Sequence, residues 1–195
     1  MIIVIIFDLK KNIRRNIINN FRNCIENVSF INYNDERIIN KIIDIHPNGI
    51  ILSGSTHRIL DKNDVIIPSK IYTLNIPILG ICYGYQTLIK HYVGKKGLRS
   101  YVDIMECKVN FTLQKPFNIV NSWYKLSHYD DVIKLPKDWI SIKESGYGIE
   151  KLHHINEIIG GYNEKEKLMG IIFHPEKNKK TGKKFFEQWQ KWILS

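Results

Sequence analysis

The stretch Pro77–Gln86 constrains the fold most strongly, because it combines a short apolar strand, a glycine-flanked turn and the start of a helix. Apolar, β-favouring residues lead into Gly80, and helix-compatible residues follow over 86–92. Cys82 stands at the apex, with Gly80 and Gly84 two residues away on either side. Only glycine lets a backbone double back this sharply without a steric clash. The pattern predicts a strand–turn–helix elbow that lifts the cysteine clear of a sheet.

Cys82 at this apex has the expected surroundings of a reactive thiol. It would lie at a helix N-terminus, where the helix dipole and the unpaired N–H groups favour a thiolate over a thiol. The next backbone N–H, that of Tyr83, would be placed to donate to an oxyanion. The alternative is a structural cysteine buried between a strand and a helix, which an isolated Gly-x-Cys-x-Gly pattern equally allows. Two distant segments, 49–54 and 170–176, favour the reactive interpretation.

The first half of the chain alternates buried strands with amphipathic helices. We predict strands at 1–7, 28–33 and 50–52, and helices at 12–28, at 35–45 with Asp35 as N-cap, and within 65–73, where Pro68 breaks the helix. The first strand is continuous and β-branched, as expected for a strand buried on both faces. The first helix places Ile13, Ile17 and Phe21 at helical spacing on its apolar face. This alternation implies a parallel sheet with right-handed crossovers.

The second half is dominated by strands with short connections, predicted at 105–113, 117–126, 139–143, 156–162 and 168–173. Such strands suit antiparallel additions to the same sheet. Thr181 is the predicted N-cap of a last helix with an aromatic inner face. We therefore predict one α/β domain over residues 1–195, with a mostly parallel central sheet, antiparallel additions in the second half and helices on both faces.

Composition excludes several classes of function. With 44% hydrophobic and 25% charged residues, the chain has the composition of a soluble globular protein. The longest apolar run, at 1–7, is too short for a membrane span and lacks the basic segment of a signal peptide, so we expect a cytoplasmic protein without a membrane partner. The three cysteines are unpatterned, and Cys24 and Cys107 are expected to pack in the core. The net charge of +10 comes from lysines spread along the chain, which does not indicate nucleic-acid binding.

Three separated motifs are far more specific together than any one of them alone. They read Gly80-Ile-Cys-Tyr-Gly-Tyr-Gln86, Ser127-His-Tyr-Asp130 and Phe173-His-Pro-Glu176. In order and spacing they resemble those of the class I glutamine amidotransferases, most closely the glutaminase part of GMP synthetase, and the resemblance covers nearly the whole chain. It implies a flavodoxin-like class I glutaminase fold and hydrolysis of L-glutamine without a cofactor. It also implies transfer of the ammonia to a separate synthetase (ATP pyrophosphatase) subunit.

The resemblance implies a Cys-His-Glu triad. Cys82 is then the nucleophile that attacks the side-chain amide, and His174 is the base that takes the thiol proton and later protonates the leaving nitrogen. Glu176 follows His174 by two residues, so in an extended segment the two side chains share one face. The carboxylate can then orient the imidazole and fix its tautomer. Pro175 between them would stiffen the backbone at a sheet edge.

The resemblance also implies which residues form the substrate pocket. Ser127 and His128 line it, largely through backbone groups. Asp130 in the same motif is expected to support the structure of the site rather than to contact the substrate. Gln86 faces the pocket from one turn into the elbow helix. The oxyanion hole takes one donor from Tyr83 and the second from the loop after the third strand, at Gly54 and Ser55.

Two positions depart from the family pattern. The loop after the third strand usually reads Ser-Gly-Gly, and here Ser55 replaces the second glycine. If that residue needs a positive φ, serine costs roughly 1 kcal/mol and turns its N–H away, so we expect slow resting activity. After the elbow helix, the family often has a Glu-Phe-Gly-like stretch where this chain has Leu98-Arg-Ser-Tyr101. Arg99 in that stretch is a weak candidate for binding the substrate carboxylate.

Other functions stay open on the sequence alone. A hydrolase of γ-glutamyl compounds would use the same triad without passing ammonia on, and a catalytically weak regulatory or binding module could keep the same fold. The sequence contains no Cys-x-x-Cys or His-Glu-x-x-His metal motif, and no Gly-Lys-Ser/Thr follows the loop at 53–56, which excludes a phosphate loop. The lysine-rich run at 177–184 is either a solvated face or a partner surface. His57 and the pair His153-His154 are interpreted as surface residues.

Overall fold

A seven-stranded sheet forms the centre of the computed structural model, which describes residues 1–61, 64–113, 116, 119–142 and 158–195. Along these residues the strands are Ile2–Ile6 (β1), Val28–Asn32 (β2), Gly49–Leu52 (β3), Ile78–Ile81 (β4), Leu98–Leu113 (β5), Ile119–Val132 (β6), Ile140–Ile142 (β7), Gly160–Asn163 (β8) and Leu168–Ile171 (β9). The sheet order is β2-β1-β3-β4-β9-β8-β7. The first five strands in this order are parallel, and β8 runs antiparallel between β9 and β7. The predicted mostly parallel sheet with antiparallel additions is confirmed.

Helices cover both faces of this sheet, as predicted. They are Lys11–Arg22 (α1), Ile38–Ile45 (α2), Tyr83–Tyr92 (α3) and Lys179–Leu194 (α4), with short 3-10 turns at Ser69–Thr73, Lys95–Gly97 and Pro175–Lys177. Helices α1 and α4 pack together through Phe21 and Phe186, whose ring centroids are 5.8 Å apart. Helix α3 packs over β4 and β9, so closely that a Cβ atom on Gly170 would lie 1.8 Å from the Tyr85 ring.

Strand β1 is buried along its whole length, with every side chain from Ile2 to Ile6 at most 2% exposed. Each fully buried aliphatic side chain of this size contributes about 1.5–3 kcal/mol to folding. A continuous run of isoleucine and valine is therefore what this position between β2 and β3 requires. The prediction that the first strand is buried on both faces is confirmed.

Several helix boundaries differ from the predicted ones. Helix α1 ends at Arg22 rather than at residue 28, and the Cys24 N–H closes its end by bonding to the Phe21 carbonyl oxygen only three residues back. Helix α4 begins at Lys179, and its N-cap is Asn178, not Thr181. The Asn178 side chain accepts the N–H groups of Lys180 and Thr181 over 3.1 and 3.2 Å, which leaves Thr181 inside the first turn.

Two further helix starts were also mispredicted. Helix α2 begins at Ile38, with Arg37 at the N-cap position, while the Asp35 carboxylate accepts the Arg37 N–H over 2.9 Å in the preceding turn. Helix α3 begins at Tyr83, three residues earlier than the predicted start at Gln86, and thus directly after Cys82. The predicted position of Cys82 at a helix N-terminus is confirmed.

The strands predicted at 105–113 and 117–126 pair with each other in a separate antiparallel ribbon, not with the central sheet. They are longer than predicted, because the β5–β6 ladder runs from the pair Leu98–Val132 to the pair Leu113–Ile119 with two irregular steps. Among the described residues, one β-bridge, between Lys125 and His174, links the ribbon to the segment after β9. The ribbon thereby carries the Ser127–Asp130 motif to the end of the sheet. The predictions for residues 117–118, 143 and 156–157, and for His153-His154, lie outside the described residues.

Candidate active site

Cys82 lies at a sharp turn between β4 and α3, as the glycine pattern predicts. Its backbone has φ 50° and ψ −107°, a combination that residues with a side chain rarely adopt. A Cβ atom on Gly80 would lie 2.6 Å from the Gly84 carbonyl oxygen, and one on Gly84 would lie 2.1 Å from the Leu52 carbonyl oxygen. Neither position has room for a larger residue, so both glycines are needed for the close approach of α3 to the sheet.

Backbone hydrogen bonds hold this strained turn on both sides. The Cys82 N–H donates to the Ile171 carbonyl oxygen over 2.8 Å, and the Gly84 N–H donates to the Ser53 carbonyl oxygen over 3.1 Å. The Tyr83 N–H lies between them, at the start of α3, and has no acceptor among the described residues. A helix leaves its first N–H groups unpaired, so this donor remains available beside the Cys82 sulfur.

His174 and Glu176 follow β9, at the sheet end where β4 leads into Cys82. His174 Nδ1 and Glu176 Oε1 are 2.7 Å apart, and the two residues are 5% and 7% exposed. The His174 N–H donates to the Lys125 carbonyl oxygen over 2.9 Å, which fixes the segment against β6. Glu176 belongs to the 3-10 turn Pro175–Lys177, so the prediction of an extended segment is wrong. The turn, rather than strand alternation, brings the carboxylate to the imidazole.

The charge of His174 follows from its neighbours. Burial alone would lower the pKa of the imidazole, but the negative charges of Glu176 and Cys82, together with hydrogen bonds to both, raise this pKa from 6.5 to about 10. Because Nδ1 is bonded to Glu176, the other ring nitrogen, Nε2, is left for the hydrogen bond to Cys82. The His174 imidazole therefore carries its proton at neutral pH.

Replacing Glu176 with glutamine is expected to lower the pKa of His174, because one of the two negative charges that raise it is lost. The imidazolium, the form that can protonate a leaving nitrogen, then disappears at a lower pH. For a glutaminase reaction the alkaline limb of kcat/KM, expected near pH 10 in the wild type, should move to lower pH in this variant. The exposed carboxylate Glu187 on α4 offers a matched control. Glu187→Gln should leave the alkaline limb of kcat/KM at the wild-type pH.

The same substitution has a consequence for stability. The pKa of His174 is raised in the folded state, so its contribution to stability is full below pH 6.5 and is lost as the pH rises through about 10. The wild-type Tm should therefore fall across this window more steeply than the Tm of Glu176→Gln. Identical alkaline limbs and identical Tm profiles for the wild type and Glu176→Gln would contradict the assigned role of Glu176.

A cavity of about 430 Å³ includes Cys82 in its wall. Its lining contains all nine residues predicted for catalysis or substrate binding, namely Gly54, Ser55, Cys82, Tyr83, Gln86, Ser127, His128, His174 and Glu176. These residues come from four separate parts of the chain: the loop after β3, the elbow, strand β6 and the turn after β9. The fold thus brings together every side chain that the motifs single out.

The Ser127–Asp130 motif lines the cavity, and two of its backbone carbonyl groups contact neighbouring site residues. The Ser127 carbonyl oxygen lies 3.6 Å from Cys82 Sγ, and the Asp130 carbonyl oxygen accepts the Gln86 side-chain N–H over 2.5 Å. The Asp130 carboxylate accepts the Leu60 N–H over 3.4 Å and pairs with Arg58 over the same distance, which agrees with the structural role predicted for it. Gln86 is thereby fixed at the cavity wall.

The loop after β3 passes directly over the imidazole. A Cβ atom on Gly54 would lie 2.8 Å from His174 Cε1, so only glycine fits there without displacing the ring. The loop is anchored by Asp8, whose carboxylate accepts the Thr56 hydroxyl over 2.6 Å. Ser55 is not among the described residues with positive φ, so the strain expected from the missing second glycine does not arise. The expected slow resting activity stays a prediction.

A comparison with known sequences decides the family. The family model described as "Glutamine amidotransferase class-I" matches residues 5–191. The chain belongs to the class-I glutamine amidotransferases. Curated relatives of this amidotransferase are named GMP synthase [glutamine-hydrolyzing]. That of Prochlorococcus marinus is 35% identical over 144 residues and that of Chlamydia caviae 32% identical over 146, each match covering 71% of the chain.

The chain spans about a quarter of the length of these relatives, 25% and 26% respectively. Solved structures share its fold over nearly its whole length. A protein from Thermoplasma acidophilum, described as one subunit of a GMP synthase, superimposes with a TM-score of 0.68 at 19% identity, over 100% of this chain and 94% of that one. PurLQS from Thermotoga maritima gives a TM-score of 0.63 at 16% identity, over 99% and 96% of the two chains. The class I glutaminase fold of this amidotransferase is therefore confirmed.

The cavity also contains residues that the sequence reasoning missed. Arg58 lines it and lies over the Tyr129 ring at 4.7 Å, whereas Arg99, the predicted weak candidate, lies 3.9 Å from Asp131. His57, interpreted as a surface residue, is half-buried in the cavity wall, so that interpretation is wrong. Arg58 lies shortly after the loop at 53–56, and this closeness in sequence was the signal that could have identified it.

Helix α1 also lines the cavity. Ile13, Ile17 and Phe21, predicted as the core face of this helix, line the cavity together with Asn16 and Asn20. Phe21 is buried against α4, while Ile13 and Ile17 are only partly buried. An apolar helix face predicts burial, but it does not reveal whether the buried side meets the core or a cavity.

Cys24 is the other cysteine whose side chain the structure describes. Burial, with the added negative charge of Glu176, raises the pKa of the Cys24 thiol to about 11 against the opposing charge of Lys179. Cys24 is 5% exposed in the core, which confirms its predicted packing role, while the Cys107 side chain lies outside the described part of the structure. Within the described ranges, no helix is long and apolar enough to cross a membrane, and no three His, Cys, Asp or Glu side chains group as metal ligands would.

Proposed function

We propose that this chain hydrolyses L-glutamine to glutamate and ammonia through a thioester on Cys82, and passes the ammonia to a separate synthetase subunit of the GMP synthase kind. The observation that carries the proposal is the buried hydrogen-bonded set of Cys82, His174 and Glu176, which opens into one cavity beside the Tyr83 N–H. The names of the curated relatives support the choice of substrate. Residues 1–195 would act as a single amidotransferase domain.

Acylation uses the thiolate–imidazolium pair. The Cys82 sulfur attacks the side-chain amide carbon of glutamine, and the amide oxygen becomes an oxyanion that accepts the Tyr83 N–H and an N–H of the Gly54–Ser55 loop. His174 gives its Nε2 proton to the leaving nitrogen, the carbon–nitrogen bond breaks, and ammonia departs from a γ-glutamyl thioester. A high pKa of His174 keeps this proton in place until it is needed.

Deacylation returns the site to its starting state. A water molecule attacks the thioester carbon while His174, now neutral, takes its proton, and the same donors stabilise the second oxyanion. Collapse of this intermediate releases glutamate and restores the thiolate next to the imidazolium. Glu176 keeps Nδ1 bonded throughout, so Nε2 faces the sulfur and the reacting atoms in both half-reactions.

We assign substrate recognition to the part of the cavity lining that comes from β6 and α3. Backbone groups of Ser127 and His128, together with Gln86, would bind the α-amino and α-carboxylate ends of glutamine. Arg58 adds a positive charge to this wall and is a further candidate for the carboxylate end.

Positive charge beside the cavity supports the proposal that a partner protein binds there. Lys177 lines the cavity, and four more exposed lysines follow it on α4, namely Lys179, Lys180, Lys183 and Lys184. Such a basic run suits an acidic surface on the ATP pyrophosphatase of a synthetase and would favour association of the two chains at low ionic strength. No cofactor is needed for the hydrolysis itself.

A second candidate is a hydrolase of γ-glutamyl compounds that uses the same triad. It is favoured by the apolar extension of the cavity toward Ile13 and Ile17, which could hold a leaving group larger than ammonia. The two candidates differ in their preferred substrate, since the second predicts faster turnover of an N-substituted γ-glutamyl amide than of glutamine.

The proposal is tested by measuring glutamate release from glutamine by the purified chain, alone and with an ATP pyrophosphatase subunit of GMP synthase. We expect release that requires Cys82 and increases when the partner is present. Absence of glutamate release under both conditions, with rapid turnover of an N-substituted γ-glutamyl amide, would select the second candidate instead.

A further inference from the structure

The first turn of α4 packs directly against the 3-10 turn that carries Glu176. Gly182, at the end of that first turn, is buried, and a Cβ atom there would lie 2.3 Å from the Pro175 carbonyl oxygen and 2.8 Å from Cys24 Sγ. Any side chain at this position would force the helix and the Pro175–Lys177 turn apart by roughly 1 Å before they reached ordinary van der Waals contact. The two segments can meet only because Gly182 has no side chain.

Helix α4 is held in this position on both sides of Gly182. On one side, the Asn178 side chain caps the helix, and the Gly182 N–H donates to the Asn178 carbonyl oxygen over 2.8 Å. On the other side, Phe185 and Phe186 are fully buried in the core. The helix would have to open this core to retreat, so a side chain at position 182 would displace the Pro175 carbonyl group instead.

The hydrogen bonds within the Pro175–Lys177 turn are long. The Lys177 N–H donates to the His174 carbonyl oxygen over 3.4 Å, and the Asn178 N–H donates to the Pro175 carbonyl oxygen over 3.3 Å. The Pro175 carbonyl group lies in the same peptide plane as the Glu176 N–H. A displacement of this carbonyl oxygen therefore tilts the peptide to which the Glu176 side chain is attached.

The Glu176 carboxylate depends on this backbone for its position. Its Oε1 lies 2.7 Å from His174 Nδ1, whereas its Oε2 is buried and has no hydrogen-bond partner among the described residues. In this part of the protein no second hydrogen bond holds the carboxylate if the backbone moves. A movement of the turn is thus passed on to the contact between the carboxylate and the imidazole.

We propose that Gly182 is a positioning residue: it allows α4 to support the Pro175–Lys177 turn, and the turn keeps the Glu176 carboxylate on His174 Nδ1. The inference rests on the proposed function, because it takes the orienting role of Glu176 in a glutaminase reaction as given. Gly182 is not among the described residues that line the cavity, so its effect reaches the imidazole through Glu176.

The variant Gly182→Ala adds one methyl group at this contact. Alanine is a better helix former than glycine, so a lower Tm in this variant would report the crowding and not the helix propensity. We expect kcat for glutamine to fall about tenfold, by no more than in Glu176→Gln, with KM within about twofold of the wild type. The alkaline limb of kcat/KM should move to lower pH by about half a pH unit or more, because a displaced carboxylate stabilises the imidazolium less.

A double variant and a matched control separate positioning from general damage. In the Glu176→Gln background, Gly182→Ala should cause no further movement of the alkaline limb, because the contact that it disturbs is already lost. Gly49→Ala crowds the same helix at a distance from the turn, since a Cβ atom on Gly49 would lie 2.8 Å from the Trp189 ring. It should lower the Tm and leave the alkaline limb at the wild-type pH.

A second pair of variants provides the test if Gly182→Ala does not fold. Asn178 is exposed, and Asn178→Ala removes the cap that holds the first turn of α4. This change should move the alkaline limb of kcat/KM in the same direction as Gly182→Ala. Asn178→Ser keeps a side chain that can cap the helix and should leave the limb near the wild-type pH.

The inference would be overturned by an unchanged alkaline limb in Gly182→Ala, or in Asn178→Ala if the first variant does not fold. A shift of equal size in Gly49→Ala, or a further shift in the double variant, would also overturn it. A wild-type chain that releases no glutamate would instead contradict the proposed function. In that case an NMR titration of the His174 imidazole decides: its pKa should still be lower in Gly182→Ala than in the wild type, and equal values would contradict the positioning role.

Discussion

Replacement of Cys82 by serine or alanine is expected to lower glutamate release by at least about 10⁴-fold, because neither residue offers a thiolate that can form the γ-glutamyl intermediate. The fold should survive, since the hydrogen bond that holds the turn comes from the Cys82 backbone N–H and not from the sulfur. The measurement is steady-state glutamate release, with Tm recorded for each variant.

Cys24 provides the control for this experiment. It is a second buried thiol, lies 3.9 Å from the Glu176 carbonyl oxygen and has a raised pKa, but it takes no part in the proposed reaction. Cys24→Ser should therefore retain wild-type turnover. If a Cys82 variant kept more than a few per cent of the wild-type rate, Cys82 would have to be removed from the mechanism.

Replacement of His174 by alanine is expected to lower kcat by about 10²–10⁴, the usual contribution of a general acid–base residue. The imidazole moves protons in both half-reactions, whereas Glu176 only orients it, so Glu176→Gln should be the milder change. The double variant should be no worse than His174→Ala alone, because residues that act as a unit give non-additive losses.

The exposed residue His91 on α3 is a suitable control for the loss of an imidazole. His91→Ala should leave kcat unchanged. An equally damaging Glu176→Gln at every pH would indicate a direct chemical role for the carboxylate, and the orienting role would then be wrong.

The sequence was informative wherever one local requirement determined the structure. The run Ile2–Ile6 predicted a buried strand, because a strand covered on both faces must be apolar at every position. Gly80 and Gly84 predicted the elbow, because no other residue fits the 2.6 and 2.1 Å approaches found there. The nine predicted residues come from separate stretches of the sequence and line one cavity only in the folded chain.

The sequence was misleading wherever two arrangements satisfy the same local pattern. Alternating residues in β5 and β6 fit a separate ribbon as well as the central sheet, and pairing partners are not encoded in one strand alone. His174 and Glu176 at a spacing of two fit an extended segment, yet a 3-10 turn gives the same contact. For Ser55, a missing glycine suggested strain that its backbone conformation does not have.

The most direct test of the account is to trap the intermediate. Wild-type protein is mixed with isotopically labelled glutamine, quenched in acid after a few milliseconds to seconds, digested and mapped by mass spectrometry. The account predicts a γ-glutamyl adduct on the peptide that contains Cys82, and none on the peptides that contain Cys24 or Cys107. Steady glutamate release without any adduct on Cys82, or with the adduct on another residue, would contradict it.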